Sequence, residues 1–325
     1  MSSKSTSRSR KIDTTRLKKI VSGALGKSLA DAGQAERPRT VRNADSRVAV
    51  ARALASTLEP STVKKLTAFA ERDQAKLAAR LEKVKAVAVR ASRGRHKALT
   101  AAAAKYLANV KEASRLPIDP GLVGHVLLNV PFMISPGRDT ALDQSQIVAN
   151  NSFAKFRGRA EDDDDFVGDV VFSYVWTNPK TTFEVISISG FIIFNGHCSL
   201  GTGGGIFPGD RRASVTVQGR LEILEVFNDP PTAPLSQPDQ FVTALSMSED
   251  TGGWGEVGAV DARDLFRGSA LNHNLLTVPP SATLVFNVVA TVTLDTGSSS
   301  SIAAADFASG AFQVGSPAVM LATFT

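Results

Sequence analysis

The sequence predicts an α+β multidomain chain: a basic α-helical N-terminal region followed by an antiparallel β-sandwich, jelly-roll-like or Greek-key. Two observations carry this. Residues 1–115 hold 27 of the 37 Lys+Arg and 9 of the 31 Asp+Glu, so the front is cationic and the remainder, with 10 and 22, is anionic. Period changes at the same place. Before Pro117 apolar residues recur at three- and four-residue spacing; after it Gly, Pro, Ser, Thr, Val and Phe dominate and apolar residues alternate. A chain of 325 residues that is 43% hydrophobic can bury proper cores in both parts.

Residues 1–12 are Ser, Lys and Arg with almost nothing apolar, and read as a disordered basic arm. The region 13–115 reads as helical. Leu17, Ile20, Val21, Ala24, Leu25 and Leu29 mark an amphipathic helix over 13–32, weakened by Gly23 and Gly26. After a basic linker, Val48, Ala51, Ala55 and Leu58 mark a second over 45–58, stopped by Pro60. Leu66, Phe69, Leu77, Leu81, Val84 and Ala88 mark a third over 61–90. The stretch ASRGRH, with Gly94, predicts a break or kink, and a fourth helix follows over 97–114. The apolar stripe is rich in alanine and the opposite face rich in Lys and Arg, a thin-cored bundle that gains from self-association.

Residues 116–325 read as the sandwich. The better strand candidates are Val170–Trp176, Phe183–Phe194, Ser214–Phe227, Phe241–Ser246 and Ala282–Leu294. Leu122–Val130, Leu275–Val278, Ala311–Val314 and Ala318–Phe324 carry less of the pattern. Turn clusters separate them, among them Asn195-Gly196, which predicts a hairpin turn, and Gly201–Gly205. Long strands and long connections favour crossing between sheets over an up-and-down barrel.

Candidate chemistry is sparse. Cys198 is the lone cysteine, which excludes an intrachain disulfide, and its neighbour His197 cannot easily share one zinc with it; no metal site is expected from them. A thiol nucleophile at Cys198 has no local signature. The acidic run Glu161–Asp165, with Asp169, reads as a solvated loop or a clasp onto basic residues. Calcium is the secondary reading, because the run lacks the alternating ligands and glycine of a calcium loop. The glycine run 201–210 lacks the Gly-Lys-Ser/Thr ending of a phosphate loop. Trp176, Tyr174 and Trp254 are candidates to stack on a sugar, with Trp254 between glycines as the glycan contact. No catalytic constellation or cofactor motif emerges, and a non-enzyme is expected.

The remaining signal is cationic. Arg8, Arg10, Lys11, Arg16, Lys18 and Lys19 form one cluster, and Arg93 and Arg95 belong to a second. Such arms bind nucleic acid through its phosphates, lie on an anionic membrane, or pair with the chain's own acidic domain. The first twenty residues lack an apolar secretory core, so cytoplasmic synthesis is expected, and no run is long and apolar enough for a transmembrane helix.

The layout of a basic arm before a jelly-roll-like domain resembles that of small RNA-virus coat proteins, with an added helical stretch between. It also resembles secreted toxins and fibre proteins, where a helical region joins a β head. The leading expectation is a structural protein that self-assembles into a homo-oligomer and engages a polyanion. The alternative is a secreted or injected effector with a glycan- or receptor-binding sandwich and membrane-active amphipathic helices.

Overall fold

The computed structural model describes residues 59–113, 122–137, 142–203, 211–226, 240–250, 258–297 and 300–324. The basic arm 1–12 and the helices expected over 13–32 and 45–58 lie outside the described residues. One helix, α1 (Pro60–Ala113), is followed by strands β1 (Leu122–Leu128), β2 (Met133–Pro136), β3 (Val148–Asn150), β4 (Phe153–Lys155), β5 (Arg157–Glu161), β6 (Asp165–Thr177) and β7 (Glu184–Thr202). The chain continues through β8 (Arg212–Val226), β9 (Gln240–Asp250), β10 (Val260–Val278), β11 (Thr283–Thr296), β12 (Ser301–Asp306), β13 (Gln313–Gly315) and β14 (Val319–Phe324).

The strands form two antiparallel sheets packed face to face, a β-sandwich as the alternation predicts. In the first sheet β7 is the spine. One of its edges pairs with β10 from Glu184 to Gly201. Its other edge takes β14, β13 and β12 in succession. The second sheet runs β2-β6-β11-β8-β9. Even-numbered positions of β7 point inward, with Ile186, Ile188, Ile192 and Phe194 in the core. They meet Phe172 and Tyr174 of β6 and Phe286 and Val288 of β11. The Tyr174 hydroxyl donates to the Ser316 carbonyl, so its polar end is satisfied inside.

Asn195-Gly196 is no turn. Both residues sit inside β7, paired with Phe266 and Leu265 of β10. Gly196 is required by crowding: a Cβ there would overlap the Phe307 ring and approach the Asp306 carbonyl oxygen at 2.9 Å. Asn195 donates to the Ala311 carbonyl at 2.8 Å. Gly201 and Thr202 likewise belong to β7 and not to a turn.

The break expected at ASRGRH is absent, and α1 runs unbroken through Gly94. A glycine costs a helix about 1 kcal/mol relative to alanine. Contacts on both sides of it offset that cost: Ser92 accepts from the Ala311 amide, and Arg95 pairs with Asp264. Tertiary docking overrides local propensity here.

Candidate polyanion-binding helix and its seat on the sandwich

The functional candidate grows from α1 and the outer face of the first sheet. Odd-numbered residues of β7 point away from the core, and α1 lies over them and over β10. Leu77 and Leu81 of α1 pack with Ile302 of β12, and each is about as buried as a core residue, at 5% and 6% exposed. Gly201 opens the seat, since a Cβ there would stand 2.7 Å from Leu77 Cδ1. Ala88 is buried on the same helix face. The buried face is thus built on two leucines and Ala88, while Ala75, Ala79, Ala86 and Ala91 stay exposed.

Polar contacts flank the apolar seat. Gln74 Nε2 donates to Asp162 Oδ2 at 2.8 Å, which ties the acidic run to the helix. Lys85 Nζ lies 3.6 Å from Asp306 Oδ2. Arg95 pairs with one oxygen of Asp264, whose other oxygen lies 2.9 Å from His197 Nδ1. Burial raises the Asp264 pKa, but the hydrogen bonds from His197 and Arg95 and their charges outweigh it, leaving the carboxyl below its ordinary range. Asp306 is also lowered. Its burial is outweighed by the Ser309 hydroxyl, the amides of Ala308 and Ser309 and the Arg157 charge.

The expected site residues are dispersed. Arg8, Arg10, Lys11, Arg16, Lys18 and Lys19 lie outside the described residues, as does Trp254. Arg93 is exposed on α1. Arg95 is only partly exposed. It is turned inward onto Asp264 and serves as a docking contact, because its position on the helix faces β10. Tyr174 and Trp176 are core residues and offer no face to a sugar. Cys198 and His197 are neighbours on one strand and so point to opposite faces. The thiol is in the core, where burial, with the nearby Asp306 charge, pushes it up to about 12. In the acidic run, Asp162 and Asp163 adopt left-handed backbone, and Asp162 also accepts from the Ser301 amide. Among the described residues no group of three or more His, Cys, Asp or Glu side chains is arranged to hold a metal ion.

Sequence reasoning missed the seat itself. Asp264 and Asp306 sit in stretches without strong alternation, and only the fold brings them beneath a helix far away in the chain.

No family model matches the chain, and no curated protein matches it. Similar solved structures include TmCBM61 in complex with β-1,4-galactotriose, at 12% identity over 58% of this chain and 92% of that one, with a TM-score of 0.17. Another is the mannan-recognising carbohydrate-binding module TmCBM27, at 10% identity, 57% and 96% coverage and a TM-score of 0.23. A family 35 carbohydrate-binding module from Clostridium thermocellum has 8% identity, 62% and 93% coverage and a TM-score of 0.17. Likenesses of this size assign no role to any residue here.

Proposed function

We propose that this chain is a non-enzymatic structural protein that self-assembles and engages a polyanion with its basic N-terminal region. The observation that supports this best is how α1 is held. Leu77, Leu81 and two of its cations, Lys85 and Arg95, are turned to the sandwich, and its remaining described cations are exposed. Self-assembly is supported by the opposite signs of the two regions, which attract between copies as well as within one. The wiring, in which consecutive strands β5 to β8 and β9 to β12 pass back and forth between the sheets, is of jelly-roll type. The non-enzymatic reading is supported by Cys198 and His197 facing opposite ways.

The test is direct. Protein purified after nuclease treatment is expected to bind nucleic acid with an affinity that falls steeply with salt, and to run above monomer mass. A monomer with no salt-sensitive binding refutes the reading.

A second reading is a glycan- or receptor-binding sandwich with membrane-active helices. It is favoured by Phe183 and Phe241, aromatic rings that stand largely exposed on the sandwich and offer a face to a sugar. No helix among the described residues is long and apolar enough to cross a membrane, and Leu77 and Leu81 of α1 are covered by the sandwich. Binding on a glycan array that is lost in Phe241→Ala, together with dye release from anionic vesicles, selects this reading instead.

A further inference from the structure

The outward face of α1 is more ordered than a generally basic helix. At about 100° per residue, Lys65, Arg72, Lys76, Lys83, Arg90 and Lys97 fall within roughly 60° of one another around the helix axis. All six are exposed. Arg80 and Arg93 flank them. On the same wheel Leu77, Leu81, Ala88 and Ser92 centre on the opposite side, and these are the helix side chains found buried against the sandwich. Sequence spacing and burial therefore agree on one straight row of cations. At 1.5 Å per residue the row from Lys65 to Lys97 is about 48 Å long.

Among the described side chains the row is also unspent. Among the described residues none of the six pairs with a carboxylate; the cations that do so on α1 are Lys85 and Arg95, both turned to the sandwich. Among the described side chains of α1, the large apolar ones that are exposed are Val84 and Val87.

We infer that this row is a binding site for a linear phosphodiester polymer, held lengthwise along α1 by its phosphates and without regard to sequence. The inference rests on the polyanion reading above and assigns it to α1, apart from the arm of residues 1–19. A membrane is the poorer fit, because inserting α1 into headgroups would require the apolar stripe that Leu77 and Leu81 have already buried. A duplex is the better of the two nucleic acid forms. It presents the denser line of charge.

The experiment uses the full chain with a 30-base-pair duplex and a 30-nucleotide single strand of the same mixed sequence, titrated between 50 and 200 mM salt. Neutralising four members of the row together (Lys76→Gln, Lys83→Gln, Arg72→Gln, Arg90→Gln) removes a slope of about 0.9 per contact on duplex and about 0.7 on single strand. On duplex that is about 3.6 in the log–log slope, or roughly 150-fold less affinity lost across the salt range. The four single variants are measured as well, each expected to lower the slope by about 0.9 without altering thermal unfolding. Arg159→Gln, which removes an exposed sandwich cation, is expected to change nothing. If the wild-type chain binds and the row variants bind with unchanged slope, the row is refuted while the polyanion reading survives on the N-terminal arm. If Arg159→Gln flattens the slope as much as a row variant, net charge is responsible and the row is again refuted. If the wild-type chain does not bind at 50 mM salt, both proposals fail.

Discussion

Leu81→Ala tests whether the seat of α1 is a separate unit of stability. Leu81 is 6% exposed and shares a small cluster with Leu77 and Ile302, with Ala78 packed alongside. Truncating a buried leucine costs 2–5 kcal/mol, depending on how far the site collapses. Here the cavity opens between a helix and one sheet, which can close in upon it, so the lower part of that range applies, about 2–3 kcal/mol. Alanine is the best helix former, so the substitution leaves α1's own propensity intact and its cost reports docking. The two leucines together contribute roughly 3–6 kcal/mol by burial, so the variant removes about half of the apolar seat. Hydrogen exchange resolves the outcome. Amides of α1 near Leu81 are expected to lose protection by roughly 30- to 160-fold, while those of β11, at the centre of the second sheet, keep theirs. Equal losses in α1 and β11 would show helix and sandwich unfolding together. No loss in α1 would show that the ion pairs hold it unaided. Either result refutes the reasoning.

Other outcomes follow from the same contacts. Asp264 has a lowered native pKa, with Arg95 of α1 among the causes, so its contribution to docking is present above the ordinary carboxylate range and lost as pH falls through its native value. Acidification is expected to release α1 before the sandwich melts, seen as α1 amides exchanging first once intrinsic rates are corrected; simultaneous loss counts against it. Asp165 shows the reverse. Burial, the hydrogen bond with Asp295 and carboxylate repulsion raise it to about 6, so ionising it lowers stability as pH rises from about 4 to 6. Asp165→Asn is accordingly expected to raise Tm at pH 7 and leave it nearly unchanged at pH 4, and a flat difference across that range would be a failure. Gly196→Ala forces a methyl against Phe307 and the Asp306 carbonyl and is expected to cost about 1–3 kcal/mol in urea unfolding. A change under about 0.5 kcal/mol would mean that Phe307 moves aside freely.

The sandwich was legible in the sequence wherever strands bury one face and expose the other. Val215, Val217 and Leu221 of β8 fall inward and alternate in the sequence as they do in the fold. β10 was largely illegible, with only 275–278 expected as strand. It lies at a sheet edge with much of its length exposed, so Asp261, Arg263, Asn272 and Asn274 are tolerated and no alternation survives. Asn195-Gly196 misled because glycine serves two ends: it reverses a chain, and it admits a ring. The sequence separates these only if Phe307 is already known to lie opposite. The basic face of α1 was visible as a heavy Lys/Arg side. Choosing residues by local density rather than by angle, however, picked Arg95, which faces the sandwich, and passed over Arg72, Lys76 and Lys83, which face solvent.

The arrangement of β7 bears on how the chain is made. Its flanking partners β12, β13 and β14 come from the last part of the sequence, and Ile302, on which α1 rests, is among them. The helix therefore leaves the ribosome long before its resting place exists, and its leucines stay wet throughout that interval. A seat of two leucines and one alanine, on a helix rich in lysine and arginine, is suited to the wait: it attracts few wrong partners and repels its own copies on neighbouring nascent chains. Widening that seat with further large apolar residues would endanger its synthesis.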